Sequence, residues 1–104
     1  MIYLLNSPVL TAYGDWRFSA VDLPQAKSMV GGEFVSAIGH SEAADFLSLL
    51  LGVAVPERRI AIRMAPGDQA LVLRLKQRLP AGIILRADEL NNDLYELAAL
   101  YRLS

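Results

Sequence analysis

The sequence predicts an α/β (α+β) fold, in which a mixed central sheet of about five strands carries flanking helices. Three observations lead there. Short apolar segments with a two-residue alternation recur along the chain, the pattern of half-buried strands. Between them lie two stretches that open on a capping residue and close on glycine, the pattern of short helices. The chain has 104 residues, 54% of them hydrophobic, which suits one small core and a single domain spanning 1–104.

In order, Ile2–Leu5 reads as a buried strand that ends in a polar turn at Asn6, Ser7 and Pro8. "WRFSAV" sets Trp16, Phe18 and Ala20 against Arg17 and Ser19, a half-buried strand. "DLPQAKSMVGG" has Asp22 as N-cap, Pro24 in the first turn and glycines at its end, a short helix. "EFVSAIG" returns as a strand. From Ser41, "SEAADFLSLLLG" shows a capping serine, early acids Glu42 and Asp45, and Gly52 as a stop, a second helix. "RRIAIRM" and "ALVLRLKQRL" both alternate and predict two adjacent strands joined by the turn "PGDQ". "LPAGIIL" reads as a loop and "RADELNND" as a short helix. The tail "LYELAALYRLS" fits both states. Its Leu, Glu and Ala favour helix, while Tyr95, Leu97, Ala99, Tyr101 and Leu103 recur every second residue.

Composition narrows the chemistry. There is no cysteine and one histidine, His40, which excludes disulfides, thiolate zinc sites and cysteine nucleophiles and argues against a transition-metal site within one chain. A carboxylate-bound magnesium stays open by composition, but no cluster such as Asp-x-Asp is present to hold it, so no metal and no cofactor is expected. Ten Lys and Arg balance eleven Asp and Glu, so nothing in bulk charge points to duplex DNA. No apolar run is long enough to span a bilayer, and the N-terminus lacks the basic start of a signal peptide. The expectation is a soluble, cytoplasmic protein with no membrane partner.

Local features are compatible with an anionic ligand. His40 stands between a predicted strand and a helix start, beside free helix N–H groups that attract phosphate. Histidine exchanges a proton near neutral pH, so the position joins an anion site to a proton donor. The plainer alternative is a surface or capping histidine. Arg59 and Arg63 fall on one face of their predicted strand, as do Arg74, Lys76 and Arg78 if theirs runs that far. The guanidinium fork matches phosphate oxygens, although a solvated strand face has the same pattern. Asn6 closes the first strand, where it serves as a turn residue or contacts a ligand at the sheet's carboxyl edge.

The segments "LLNSPVL", "FVSAIGH", "LLGVAVPERRIAIRMAPGDQALVLRL" and "QRLPAG", in that order, cover nearly the whole chain. Together they resemble the small anti-CRISPR ring nucleases of type III immunity, found in archaeal viruses, phages and bacteria. The resemblance implies a homodimer that binds cyclic tetra-adenylate and cuts it, without a metal, to linear di-adenylate with 2′,3′-cyclic phosphate ends. It implies that His40 protonates the departing 5′-oxygen. It also implies ligand contacts from Asn6, Arg59, Gln77 and Arg78, with Arg74 as a further candidate where a viral relative's pattern has glutamine. A two-fold dimer suits a rotationally symmetric ring. Two other positions depart from the pattern: Ala81 stands where a glutamate is usual, and Ala43 where a threonine is often found. Ala81 keeps a second function open, a cyclic oligoadenylate-binding sponge or sensor with little catalysis. If the chain is viral, the host cytoplasm is the expected location.

Overall fold

The computed structural model describes residues 1–76 and 95–104. Strands β1 (Ile2–Leu5), β2 (Trp16–Ala20), β3 (Val35–Ser36), β4 (Gln69–Leu75) and β5 (Tyr95–Arg102) form one sheet in the order β2-β5-β4-β1-β3. β1 runs parallel to both β3 and β4, whereas β5 runs antiparallel to β4 and β2. The mixed five-stranded α+β architecture is therefore as the sequence predicts. Among the described residues there are two helices, α1 (Leu23–Met29) and α2 (Ser41–Leu51).

β4 shows how the sheet divides its apolar residues. Leu71 and Leu73 pack with both helices, while Ala70 and Val72 pack on the opposite face with Leu5, Met64 and Leu100. A strand buried on both faces uses its two-residue period to feed two cores. α2 meets the first core with Ala43, Ala44, Phe46, Leu47, Leu50 and Leu51, spaced one helical turn apart along one stripe. Phe46 also meets Tyr95 edge to face, ring centroids 5.6 Å apart, which ties α2 to β5. On the second face, the Arg102 guanidinium lies 5.7 Å from the centre of the Trp16 ring and donates from Nη1 to the Met64 carbonyl at 2.5 Å.

The helix ends follow local chemistry. Asp22 caps α1 through a reciprocal pair: its carboxylate accepts from the Gln25 N–H at 2.9 Å, and Gln25 Oε1 accepts from the Asp22 N–H at 3.3 Å. α2 stops at Gly52, whose φ of 73° is the left-handed conformation that glycine adopts without steric cost.

Four expectations need correction. The cap of α2 is His40, not Ser41; Ser41 is the first helical residue, and its hydroxyl donates to Glu42 at 3.3 Å. Residues 57–64 form no strand, so β4 is flanked by β1 and β5 and not by that segment. The alternation there has another cause: Ile62 and Met64 pack on the sheet's second face while Arg59 and Arg63 stay exposed, with no ladder of backbone pairs. The strand expected through "EFVSAIG" is confined to Val35 and Ser36. β4 ends at Leu75, short of the "KQR" run. The tail resolves as strand, because β5 pairs along both of its edges and buries Tyr95, Leu97, Ala99 and Leu100. Tertiary pairing overrides its helical propensity. The loop expected at 79–85 and the short helix expected at 86–93 lie outside the described residues.

Leu71 is fully buried in the core that the sheet shares with both helices. Leu71→Ala is expected to lower stability by roughly 2–5 kcal/mol, read from urea unfolding. A loss under about 0.5 kcal/mol, the size of an ordinary surface substitution, would contradict this packing.

Candidate functional site

In parallel strands the carboxyl ends leave the sheet on one side, and β1, β3 and β4 share such an edge. Asn6 follows directly on the last residue of β1. The chain leaving β3 reaches His40 four residues after Ser36. Arg74 is the penultimate residue of β4, two beyond the pairing of Leu5 with Val72. Topology thus brings Asn6, His40 and Arg74 to the same edge, as an open α/β site requires.

His40 is extended (φ −128°, ψ 132°), and its carbonyl accepts the first helical hydrogen bond, from the Ala44 N–H at 3.0 Å. Its side chain is exposed and makes no capping hydrogen bond. The first N–H groups of α2 are left without a side-chain cap from that residue, and the helix dipole adds partial positive charge there.

Arg59 reaches this junction from another part of the chain. Its Nε donates to the Gly39 carbonyl at 3.0 Å, one residue before His40. The side-chain stem lies close over Gly39, so that a Cβ at that position would sit 3.3 Å from Arg59 Cγ. Among the described residues Arg59 forms no ion pair with a carboxylate. An exposed guanidinium without a counter-charge, beside an open helix N-terminus and a histidine, is a setting for a phosphate group.

Arg74 is placed differently. It pairs with Glu96, directly opposite on β5, at 3.7 Å, and Lys76 approaches the same carboxylate at 3.8 Å. That contact draws Arg74 toward β5, away from β1 and β3, and offsets its charge. Arg63 is exposed, and with no strand over 57–64 the expectation that it shares a strand face with Arg59 lapses. Gln77, Arg78 and Ala81 lie outside the described residues. No group of three His, Asp or Glu suited to a metal ion occurs among the described residues, and none of their helices is long and apolar enough to cross a membrane.

Sequence reasoning passed over Ser36. It is the one buried polar residue among those described, 2% exposed, and its hydroxyl donates to the Pro56 carbonyl at 2.6 Å. The signal was available in "FVSAI", a polar residue at a buried position of an apolar strand; a hydroxyl there must find a partner.

Comparison with known proteins adds the relatives. ORF117 of Acidianus two-tailed virus is 41% identical over 92 residues, covering 83% of this chain and 79% of its own. YddF of Bacillus subtilis (strain 168) is 30% identical over 105 residues, covering 98% and 97%. Protein 26 of Sulfolobus islandicus filamentous virus is 32% identical over 94 residues, covering 86% and 80%. All three are described as uncharacterised. B116 of Sulfolobus turreted icosahedral virus has the same fold, with a TM-score of 0.86 over 97% of this chain and 98% of its own, at 19% identity. The STIV B116-like family model matches residues 2–97, and the chain belongs to that family.

Proposed function

We propose that this protein is a metal-independent ring nuclease that opens cyclic tetra-adenylate and so switches off type III CRISPR signalling. The observation that carries the reading is the junction at His40: an exposed histidine at the N-cap of α2 whose side chain makes no capping bond, with Arg59 bonded to the peptide just before it. The resemblance of the sequence to the ring nucleases supports the choice of substrate.

The chemistry asks little more of the protein. A ribose 2′-hydroxyl attacks the adjacent phosphorus, forming the 2′,3′-cyclic phosphate as the P–O5′ bond breaks. His40, as imidazolium, gives its proton to the departing 5′-oxygen and regains one from solvent, which also takes the proton lost by the 2′-hydroxyl. No water is consumed, and two such steps convert one ring to two linear di-adenylates. Arg59 and the first N–H groups of α2 hold the negative phosphate oxygens, and Asn6 contacts the nucleotide at the same edge. Gln77 and Arg78, which follow β4 in sequence, complete the ligand set. Arg74 contributes only by leaving Glu96.

A homodimer with the ring on its two-fold axis supplies two His40 side chains for opposite phosphodiesters. The messenger is intracellular, so the protein acts in the cytoplasm, that of the host if its origin is viral; duplex DNA and membranes are not its partners. The second reading, a sponge or sensor that binds the ring with little cleavage, is favoured by Ala81 in place of the usual glutamate.

His40→Ala is expected to lower the single-turnover rate in EDTA by about 10²–10⁴-fold, the usual contribution of a general acid. Binding of labelled cyclic tetra-adenylate should stay within a few-fold of wild type. Near wild-type cleavage by His40→Ala would refute the general-acid role. Tight binding by the wild type with no linear product would select the sponge.

Light scattering at micromolar concentration, with the ring present, should give the mass of two chains. A monomer mass under those conditions would rule out the shared two-fold site.

A further inference from the structure

Residues 36–39, which lead into His40, are fastened to residues 55–59 by a series of hydrogen bonds. Ser36 Oγ donates to the Pro56 carbonyl at 2.6 Å and accepts from the Ile38 N–H at 3.4 Å. The Ile38 carbonyl accepts from the Arg58 N–H at 2.8 Å, and the Gly39 carbonyl accepts from Arg59 Nε at 3.0 Å. The same segment is tied to the helix on the other side of His40. Ser48 Oγ accepts from the Val55 N–H at 2.9 Å and donates to the Ala44 carbonyl at 2.8 Å. Residues 55–59 thus form a strap that bridges the exit of β3 and the second turn of α2, and His40 lies between its two anchorages.

This arrangement matters because the His40 side chain makes no capping bond and stands exposed. With no bond on the side chain, the region the imidazole can reach is limited by its backbone, and the peptides before and after it hold that backbone in place. A general acid must stay within hydrogen-bond reach of the atom it protonates, and small displacements cost rate steeply.

We infer that Ser36 and Arg59 are positioning residues for His40, acting through the Pro56–Arg59 strap. The inference rests on the ring-cleavage reading for its kinetic consequence, but its structural content is independent of it. Arg59 then has two tasks on separate atoms: Nε holds the Gly39 carbonyl, and the terminal nitrogens face the anion. Lysine keeps the charge but has no nitrogen at the Nε position, so it separates the tasks.

The test compares Ser36→Ala and Arg59→Lys with wild type, each well below its melting temperature. Two readouts are used: single-turnover cleavage of cyclic tetra-adenylate at saturation, and amide hydrogen exchange at Arg58, whose N–H spans the strap. The expected result is a rate at least tenfold lower in both variants and exchange at Arg58 at least tenfold faster. Affinity for the ring should change less than the rate does. An Arg59 that is only a ligand contact would lose affinity in Arg59→Lys and keep its rate at saturation. A Ser36 that is only structural would lower the melting temperature and leave the rate of the folded protein unchanged. Either outcome overturns the inference for that residue. If Ser36→Ala does not fold, the exposed Arg59→Lys decides it alone. If wild type does not cleave the ring at all, the nuclease reading fails, and unchanged exchange at Arg58 in the variants still overturns the strap.

Discussion

Neighbouring strands that run parallel release their chains on the same side of the sheet, and β1 has such a neighbour on each flank. This pairing places Asn6 and the peptide leading to His40 together, although 34 positions separate them in sequence. It also buries the strands on both faces, which is why Leu71 and Val72 serve different cores and why so few polar groups are tolerated inside. The candidate site lies where the ladder ends, because backbone groups are no longer consumed by pairing there and can meet a ligand.

A sheet edge alone does not aim a side chain. β3 pairs over only two residues, so the four that follow Ser36 could adopt many paths without further restraint. Side-chain hydroxyls, one guanidinium and the main-chain bond from Arg58 to Ile38 supply that restraint. Each bond is worth about 0.5–1.5 kcal/mol net, yet a buried hydroxyl without a partner costs about 1–3 kcal/mol. The arrangement is therefore selected more by the cost of breaking it than by the gain of making it. Gly39 completes the contact, since a larger residue would press on the Arg59 stem.

Much of the fold was legible because local signals and tertiary demands agree. Asp22, Pro24 and Gly52 mark helix ends by chemistry that acts within a few residues, and the structure follows them. Where the sequence misled, a long-range partner decided. The tail has the composition of a helix, and becomes a strand because β2 and β4 both offer open edges to it. "RRIAIRM" has the alternation of a strand and is none, because packing Ile62 and Met64 on a sheet face produces the same pattern as pairing does. Of the site, the placement of His40 at a strand-to-helix junction could be read from residue type and spacing, whereas Arg59 was singled out by the resemblance, since the strand face on which spacing set it does not form. The bond from Arg59 to Gly39 could not, since nothing local links positions 20 residues apart. Nor could the capture of Arg74 by Glu96, which depends on the antiparallel register of β4 with β5.

In the proposed function one sheet edge, with His40 and Arg59 at its centre, receives the phosphates of a cyclic oligoadenylate. Nuclear magnetic resonance tests this without relying on turnover. Cyclic tetra-adenylate is titrated into the His40→Ala protein in EDTA, and backbone amides and arginine Nε–H signals are followed. The largest shifts are expected at Asn6, Gly39 to Ala43 and Arg59 Nε, with little change at Arg17 on the distant strand β2. Saturable binding with shifts confined elsewhere, or no binding at millimolar ring, would contradict it.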